Sequence, residues 1–459
     1  MVKQGIIHKF EVNGTKIVLD VNSGAVHVVD DQAWDIIDDI PVLSPAQIVA
    51  KYEDKYSGAE TEEVLAEITC LQKAGLLYSV DTFADTALAG ESEPAVKSLC
   101  LNVSHDCNLR CRYCFAGSGH FGGERLLMPV ETGRQAIDFL IKKSGRRRHC
   151  EIDFFGGEPL MNFGTVRELV AYGKARALET GKVIKFTLTT NALLLDEEIT
   201  GFLNREGLSV VLSLDGRPEV NDAMRLTVSG GRGSYEHIRP KISSFIESRN
   251  NANYIVRGTY TRHNPDFALD VLHLADLGYR SVSVEPVVGA PADEWSLRQE
   301  DLEGLSKEYE TLAVEYLRRI TEGRPFEFFH FNLDLDHGPC LPKRLSGCGA
   351  GYEYMAVTPE GDLYPCHQFV GRTQYRLGNV WDGAENTETV KMFRNAHIYA
   401  KEDCRNCWAR FHCGGGCHAN AELVNGTILK PYHIGCELEK KRLESAMYIQ
   451  AAKAGFTED

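Results

Sequence analysis

The chain has 459 residues, 43% of them hydrophobic, and a net charge of −15 at pH 7. That length and apolar content allow more than one buried core, and the negative charge excludes a general nucleic-acid binder, which needs a basic surface. No apolar run reaches membrane-spanning length and the opening MVKQGIIHKFEVNG has no signal-peptide core, so a cytoplasmic protein is expected. In that reducing compartment fourteen cysteines point to metal or redox sites, not disulfides.

From about Ile6 to Val29 the residues alternate as in strands, with turn signals at Asn13-Gly14 and Asn22-Ser23-Gly24. Ser44-Pro45 opens a helix, and a second covers roughly Thr61 to Lys73. A meander plus helices over residues 1–82 predicts a small winged-helix-like domain. Met1 to Asp85 holds 15 acidic and 6 basic residues, which disfavours DNA. An exposed strand edge pairing with an extended peptide fits better; the plain alternative is a packing domain without a ligand. Residues 83–97, rich in Ala, Glu, Ser and Gly, read as a linker.

Six strand-like runs follow: SLCLNVS, CEIDFFG, VIKFTLTT, SVVLSLDG, ANYIVRGTYT and SVSVEPVV. Helical stretches such as Val130 to Lys143 and Val166 to Thr180 separate them. Six βα units predict an α/β fold with a parallel sheet, whose near-continuous apolar strands are expected to be buried on both faces. Ligands in such folds sit at strand C-terminal ends. Arg146-Arg147-Arg148 reads as a solvated loop.

The loop after the first of these strands reads CNLRCRYCF, placing Cys107, Cys111 and Cys114 as CxxxCxxC. Three thiolates are one short of the four that hold a cubane cluster by protein alone, so one iron stays free for another ligand. A zinc site or a disulfide is the bland reading, but zinc favours paired CxxC units. Phe115 after the last cysteine and the segment FFGGEP, Phe154 to Pro159, sharpen the signal. Together they resemble the radical S-adenosylmethionine (SAM) superfamily. The resemblance implies a partial (β/α)6 TIM-like barrel over residues 98–325 and a four-iron cluster whose open iron chelates SAM. An electron from that cluster then cleaves SAM to a hydrogen-abstracting 5'-deoxyadenosyl radical. It also assigns Gly156, Gly157 and Glu158 to the methionyl amino group, with the glycines letting backbone approach the ligand. Ser213, in SLDG with Asp215, and Arg225, in NDAMR, are implied to contact the SAM carboxylate or ribose, an arginine fork suiting a carboxylate. Asn221 stands where the family pattern HDxxR has His. Thr190, Asn191 and Arg257 are weaker candidates that would equally serve as polar groups of the barrel.

Eight further cysteines lie near the C-terminus: Cys340, Cys348, Cys366, Cys404, Cys407, Cys413, Cys417 and Cys436. Their spacing resembles the SPASM extension of radical SAM peptide-modifying enzymes, implied over residues 326–459. The resemblance implies two auxiliary 4Fe-4S clusters, three in all. One is held by Cys404, Cys407, Cys413 and Cys436, the other by Cys340, Cys348, Cys366 and Cys417. Without Cys340 the second cluster would keep an open iron for a substrate thiolate. Two zinc sites are the competing assignment. Cys70, Cys100 and Cys150 are expected to be buried and inert.

The run HKFEVNGTKIVLDVNSGAVHVVDD resembles the start of maturases for "six cysteines in forty-five residues" peptides, which form thioethers in sactipeptides and ranthipeptides. The resemblance implies a Cys-rich precursor peptide whose leader binds the N-terminal domain. It further implies an external electron donor of flavodoxin or ferredoxin type, and neither a nucleic-acid nor a membrane partner. Four alternatives stand beside it: an anaerobic sulfatase-maturing enzyme, carbon–carbon crosslinking of a peptide, a non-catalytic iron–sulfur electron carrier, and a DNA-binding iron–sulfur regulator, with which the acidic N-terminal domain conflicts. His367 occupies the place where sulfatase maturases usually carry an Asp that serves as a base.

Overall fold

The structure is a computed structural model and describes residues 5–84, 95–229, 231–335 and 340–456. Of the expected linker, residues 85–94 lie outside the described residues.

Strands β1 (Ile7–Val12), β2 (Thr15–Asp20) and β3 (Val26–Val28) form an antiparallel meander. Asn13 and Gly14, at φ 49° and 77°, supply the left-handed pair that a two-residue hairpin turn needs. Helices Asp31–Ile36, Pro45–Tyr52 and Gly58–Lys73 follow. The last begins before Thr61 because Ser57 and Glu60 form a capping box. Strand alternation divides the sheet between two cores. Val18 packs with Ile36, Ile48, Leu65 and Ile68, while Ile17 and Leu19 face the rest of the protein.

The main sheet contains β4 (Ser98–Ser104), β6 (His149–Gly156), β7 (Val183–Thr190), β8 (Ser209–Ser213), β10 (Tyr254–Tyr260), β11 (Ser281–Pro286) and β12 (Glu327–Phe328), all parallel. Its first six strands are the six runs read in the sequence, and the architecture is a radical SAM-type partial barrel. Beyond β4 the sheet continues into β13 (Tyr354–Val357), β14 (Asp362–Tyr364), β15 (Gly378–Asn379) and β16 (Gly383–Ala384). The pairing of β13 with β4, Tyr354 opposite Ser98, joins the cysteine-rich region to the barrel. A separate ribbon pairs β5 (Leu109–Cys111) with β9 (Arg225–Thr227).

Burial on both faces holds along β4 and for Val282 to Val284 of β11; β6, β7, β8 and β10 alternate. Ile152, Phe154, Phe186, Leu188, Val210 and Leu212 belong to the core, while Phe155, Thr189, Ser213 and Thr259 line a central cavity. The barrel is hollow, which the apolar runs alone did not convey. The C-terminal helix His433–Lys453 packs along the helix Leu302–Thr321 and bounds the cavity with Cys436 and Arg442. No helix among the described residues is long and apolar enough to cross a membrane.

Candidate active site

The cavity, about 840 Å³, lies at the C-terminal ends of the barrel strands. Cys107, Cys111, Cys114, Phe115, Gly156, Gly157, Ser213 and Arg225 all line it. The β5–β9 ribbon places Cys111 directly opposite Arg225. Burial pushes the Cys107 thiol up to about 12 and the Cys111 thiol up to about 11. Such thiols ionise when a cation binds them, so metal loading must release protons. Phe115 is half-exposed and stands 6.4 Å from Phe155 and 5.4 Å from His367, ring to ring.

Glu158 is fully buried and does not line the cavity, although its neighbours Gly157, Thr190 and Asn191 do. It accepts from Thr190 Oγ1 at 2.8 Å, the Asn191 amide at 2.8 Å and the Leu160 amide at 3.0 Å. Burial still raises its carboxyl to about 7, against the pull of these donors. Asn191 Nδ2 donates to Asn108 Oδ1 at 2.7 Å, tying the third strand's end to the cysteine loop. The two glycines are required by backbone rather than by a ligand. A Cβ on Gly156 would sit 2.2 Å from the Ser104 carbonyl oxygen, and one on Gly157 2.2 Å from that of Asp106. The close approach allowed by Gly-Gly thus clamps β6 against the cysteine loop.

Arg225 is buried rather than a surface residue. Its Nη1 donates to Tyr113 OH at 2.9 Å, and Tyr113 OH donates to Asp215 at 2.6 Å. Its Nε has no protein partner, a buried donor in the cavity wall. Tyr113 escaped the sequence reading because it sits between two cysteines, where the ligand pattern draws the eye. Asn221 accepts from the Asp215 amide at 3.4 Å and donates to Ser234 Oγ at 3.2 Å, pinning the strand end from beneath.

Cys348, Cys413, Cys417 and Cys436 line the opposite wall of the same cavity. Burial raises Cys404, Cys413 and Cys436 to about 12 each, and Cys404, Cys407, Cys413 and Cys436 lie close enough to act on one another's charge. Cys366 is buried and pushed up, with Cys417 and Cys348 adding to the effect. Cys340 lies apart, exposed, in a second cavity of about 590 Å³ that Cys348 and Cys413 also line. Of the remaining thiols Cys100 and Cys150 are buried, but Cys70 is exposed. The expectation for Cys70 fails because it lies on the outer face of the helix Gly58–Lys73, whose buried residues are Thr61, Leu65 and Ile68.

Other cavity residues carried no local motif. Glu285 accepts from Ser283 Oγ at 2.6 Å and lies 3.0 Å from His330 Nε2, off hydrogen-bond alignment. The half-exposed Arg257 stands 3.9 Å from Glu285. His367 faces the cavity, bonded through Nδ1 to Tyr354 OH at 3.0 Å; burial pushes its imidazole down to about 4 and keeps it neutral.

Among the described residues no three His, Cys, Asp or Glu side chains converge closely enough to hold a single metal ion. The donors instead surround an open volume as all-thiol groups. A thiol-only donor set suits iron–sulfur ligation, and the unpartnered Arg225 Nε suits a carboxylate ligand.

Residues 96–237 match the family described as a 4Fe-4S single cluster domain, and residues 348–408 match SPASM, an iron–sulfur cluster-binding domain. The radical SAM cyclopropyl synthase TigE of Paramaledivibacter caminithermalis is 25% identical, over 76% of this chain and 74% of its own. A cysteine-type anaerobic sulfatase-maturating enzyme of Clostridium perfringens is 24% identical, over 77% and 96%. The structure of native anSMEcpe with bound AdoMet has a TM-score of 0.65 at 19% identity, covering 78% of this chain and 100% of its own. Streptococcus suis SuiB bound to precursor peptide SuiA has a TM-score of 0.52 at 16% identity, covering 94% and 98%. At these identities the two structures speak for the fold alone. Fold, cysteine pattern and family matches together define the class: the protein is a radical SAM-type iron–sulfur enzyme with a C-terminal SPASM domain.

Proposed function

We propose that this enzyme oxidatively modifies a ribosomally made peptide, using SAM and three 4Fe-4S clusters. The observation that carries the reading is the shared cavity: the Cys107–Cys114 loop forms one wall and the auxiliary cysteines the other. A substrate side chain between them would be open to both. When bound, SAM and the first cluster supply one-electron hydrogen abstraction. This chain's residues do the rest. Arg225, braced by Tyr113 and Asp215, offers its Nε to the SAM carboxylate. The Gly156–Gly157 backbone, held in place by the bonds of buried Glu158 to Thr190 and Asn191, would receive the methionyl ammonium. Phe115 and Phe155 give an apolar wall. His367, held through Nδ1 by Tyr354, faces the substrate space as a neutral hydrogen-bonding group whose protonated form burial disfavours.

Relatives that mature sulfatases and make a cyclopropyl group support the broad reading, a SPASM peptide-modifying enzyme, better than thioether formation in particular. The thioether reading rests on the N-terminal run HKFEVNG; the fold likeness to SuiB, which extends over 94% of the chain and so takes in N-terminal residues, goes with a peptide substrate and does not favour one bond type. In the thioether reading the substrate would lose one hydrogen as an atom to the SAM-derived radical and one as a proton to solvent, a sulfur–carbon bond would form, and a cluster held by the auxiliary cysteines would take the surplus electron. The leader of a Cys-rich precursor would bind the N-terminal domain, and a flavodoxin- or ferredoxin-type donor would supply electrons.

The test is an anaerobic reaction with SAM, reductant and a Cys-rich precursor, read by exact mass and fragmentation. Loss of two hydrogens with one thiol consumed is expected for the thioether reading. Replacement of a cysteine's sulfur by oxygen would assign formylglycine formation, and an unaltered peptide across a panel of precursors would contradict the peptide reading.

A further inference from the structure

Lys401 is fully buried, with no measurable exposure. A lysine is almost never buried without a partner, since stripping water from its ammonium costs several kcal/mol. Among the described residues no carboxylate lies within ion-pair distance of it. Its Nζ donates to the Gly415 carbonyl at 2.6 Å and stands 3.3 Å from His418 Nδ1. Gly415 is the centre of the loop Cys413-Gly-Gly-Gly-Cys417, and all three glycines have left-handed φ, between 70° and 94°. A Cβ on Gly415 would stand 3.3 Å from Nζ, so the loop is drawn down onto the lysine. The loop that carries this acceptor joins Cys413 of one expected quartet to Cys417 of the other, and the Cys404 amide donates to the Lys401 carbonyl at 3.1 Å. Burial lowers the pKa of the ammonium, and negative charge on Cys404, Cys413, Cys417 and Cys348 acts against that.

We propose that Lys401 is the shared counter-ion of the two auxiliary cluster sites, a positioning residue whose positive charge raises the reduction potential of both. The inference rests on the SPASM reading and goes beyond it. A cluster ligated by four thiolates is anionic and gains another negative charge on reduction, and net charge nearby is one of the levers on its potential. A fixed ammonium between the two quartets favours the reduced form of each. The reduction is a one-electron step, cluster plus electron from an external donor, with no bond made or broken at Lys401.

The test replaces Lys401 in the full chain carrying Cys107→Ala, Cys111→Ala and Cys114→Ala, so that only auxiliary clusters remain. Iron and sulfide content and EPR-monitored redox titrations are compared for Lys401, Lys401→Met and Lys401→Arg. Lys401→Met is expected to lower both potentials by at least tenfold in the one-electron equilibrium constant, about 59 mV, with Lys401→Arg close to the parent. If Lys401→Met loses its iron and Lys401→Arg keeps it, the requirement for charge is equally upheld. Unchanged potentials, a shift of one cluster alone, or equal iron loss in both variants would overturn the role of Lys401. A parent that binds no auxiliary iron would remove the cluster sites themselves, and with them both readings.

Discussion

Arg225, Tyr113 and Asp215 form a buried charged unit whose members support one another. Asp215 is fully buried and stands 3.6 Å from the guanidinium; Arg225 is buried too, while Tyr113 is partly buried at the cavity edge. Asp215→Ala would leave the arginine uncompensated, and a loss of about 3–5 kcal/mol is expected in urea unfolding. Tyr113→Phe removes one hydrogen-bonding hydroxyl and should cost about 1–2 kcal/mol. A loss below about 0.5 kcal/mol for Asp215→Ala would show the unit to be incidental. His105 gives a pH-dependent counterpart. Burial pushes it down to about 4, so it is neutral in the fold. Below pH 6.5 the unfolded chain takes up the proton and the folded chain does not, so its stabilisation is lost as pH falls from 6.5 towards 4. Glu158, raised to about 7, acts oppositely: its share is present at low pH and lost as pH rises through 7. The measurement is therefore a difference. His105→Gln should gain on the wild type by up to about 3 kcal/mol between pH 7 and pH 4, and parallel stability curves would contradict this. Arg225 was legible through NDAMR, whereas the Glu285–His330 pair was not. Glu285 lies in β11 and His330 in the helical turn after β12, and no local spacing links them.

At the scale of elements, the sequence pattern located the strands but not their inner faces. Val183 to Thr190 and Ser209 to Ser213 occur where the apolar runs place them, since β-branched stretches between turn signals have few other options. Which face meets a cavity depends on closure of the sheet, a property of all strands together. The Gly156-Gly157 pair shows the same limit: its motif was readable, but its steric reason, two carbonyl oxygens across the β4–β6 junction, belongs to the assembled barrel. Gly157→Ala forces the Asp106 backbone away and should cost about 1–3 kcal/mol. SAM binding followed by calorimetry should weaken in parallel, because Asp106 adjoins Cys107. Unaltered binding and stability would show that the loop yields freely. The helix Gly58–Lys73 carries a simpler expectation. Cys70 should react with a thiol reagent in the native protein, Cys100 and Cys150 only after unfolding, and Cys70→Ser should change stability by less than about 0.5 kcal/mol. Protection of Cys70 would mean that this face is covered.

Across the whole molecule, the N-terminal sheet is docked on the cysteine-rich region rather than hung from a tether. His8 stacks on Trp408 at 3.8 Å and bonds Glu444 at 2.9 Å. Arg410, buried, donates to Asn22 at 2.6 Å and to Asp81 at 3.1 Å, and Tyr399 donates to the same Asp81 at 2.8 Å. Trp408 adjoins Cys407, so the expected leader-binding domain touches the chain that presents an auxiliary ligand. None of these contacts was readable from sequence, since each spans more than 300 residues. Arg410→Met should loosen the docking: amides of β1 and β2 are expected to exchange faster while those of β6 and β7 stay protected. Equal protection throughout would mean that the contacts of His8, the Tyr399–Asp81 bond and the packing of Ile17 and Leu19 hold the domain without Arg410.

The central claim is that the Cys107–Cys114 loop and the cavity beside it form a radical SAM site. The most direct measurement is anaerobic reconstitution with iron and sulfide, then incubation with dithionite and SAM and quantification of 5'-deoxyadenosine. The wild-type chain is expected to take up about twelve irons and to release 5'-deoxyadenosine. The Cys107→Ala, Cys111→Ala, Cys114→Ala variant should take up about eight and release none. Equal release by both proteins, or none from a fully loaded wild type, would contradict the claim.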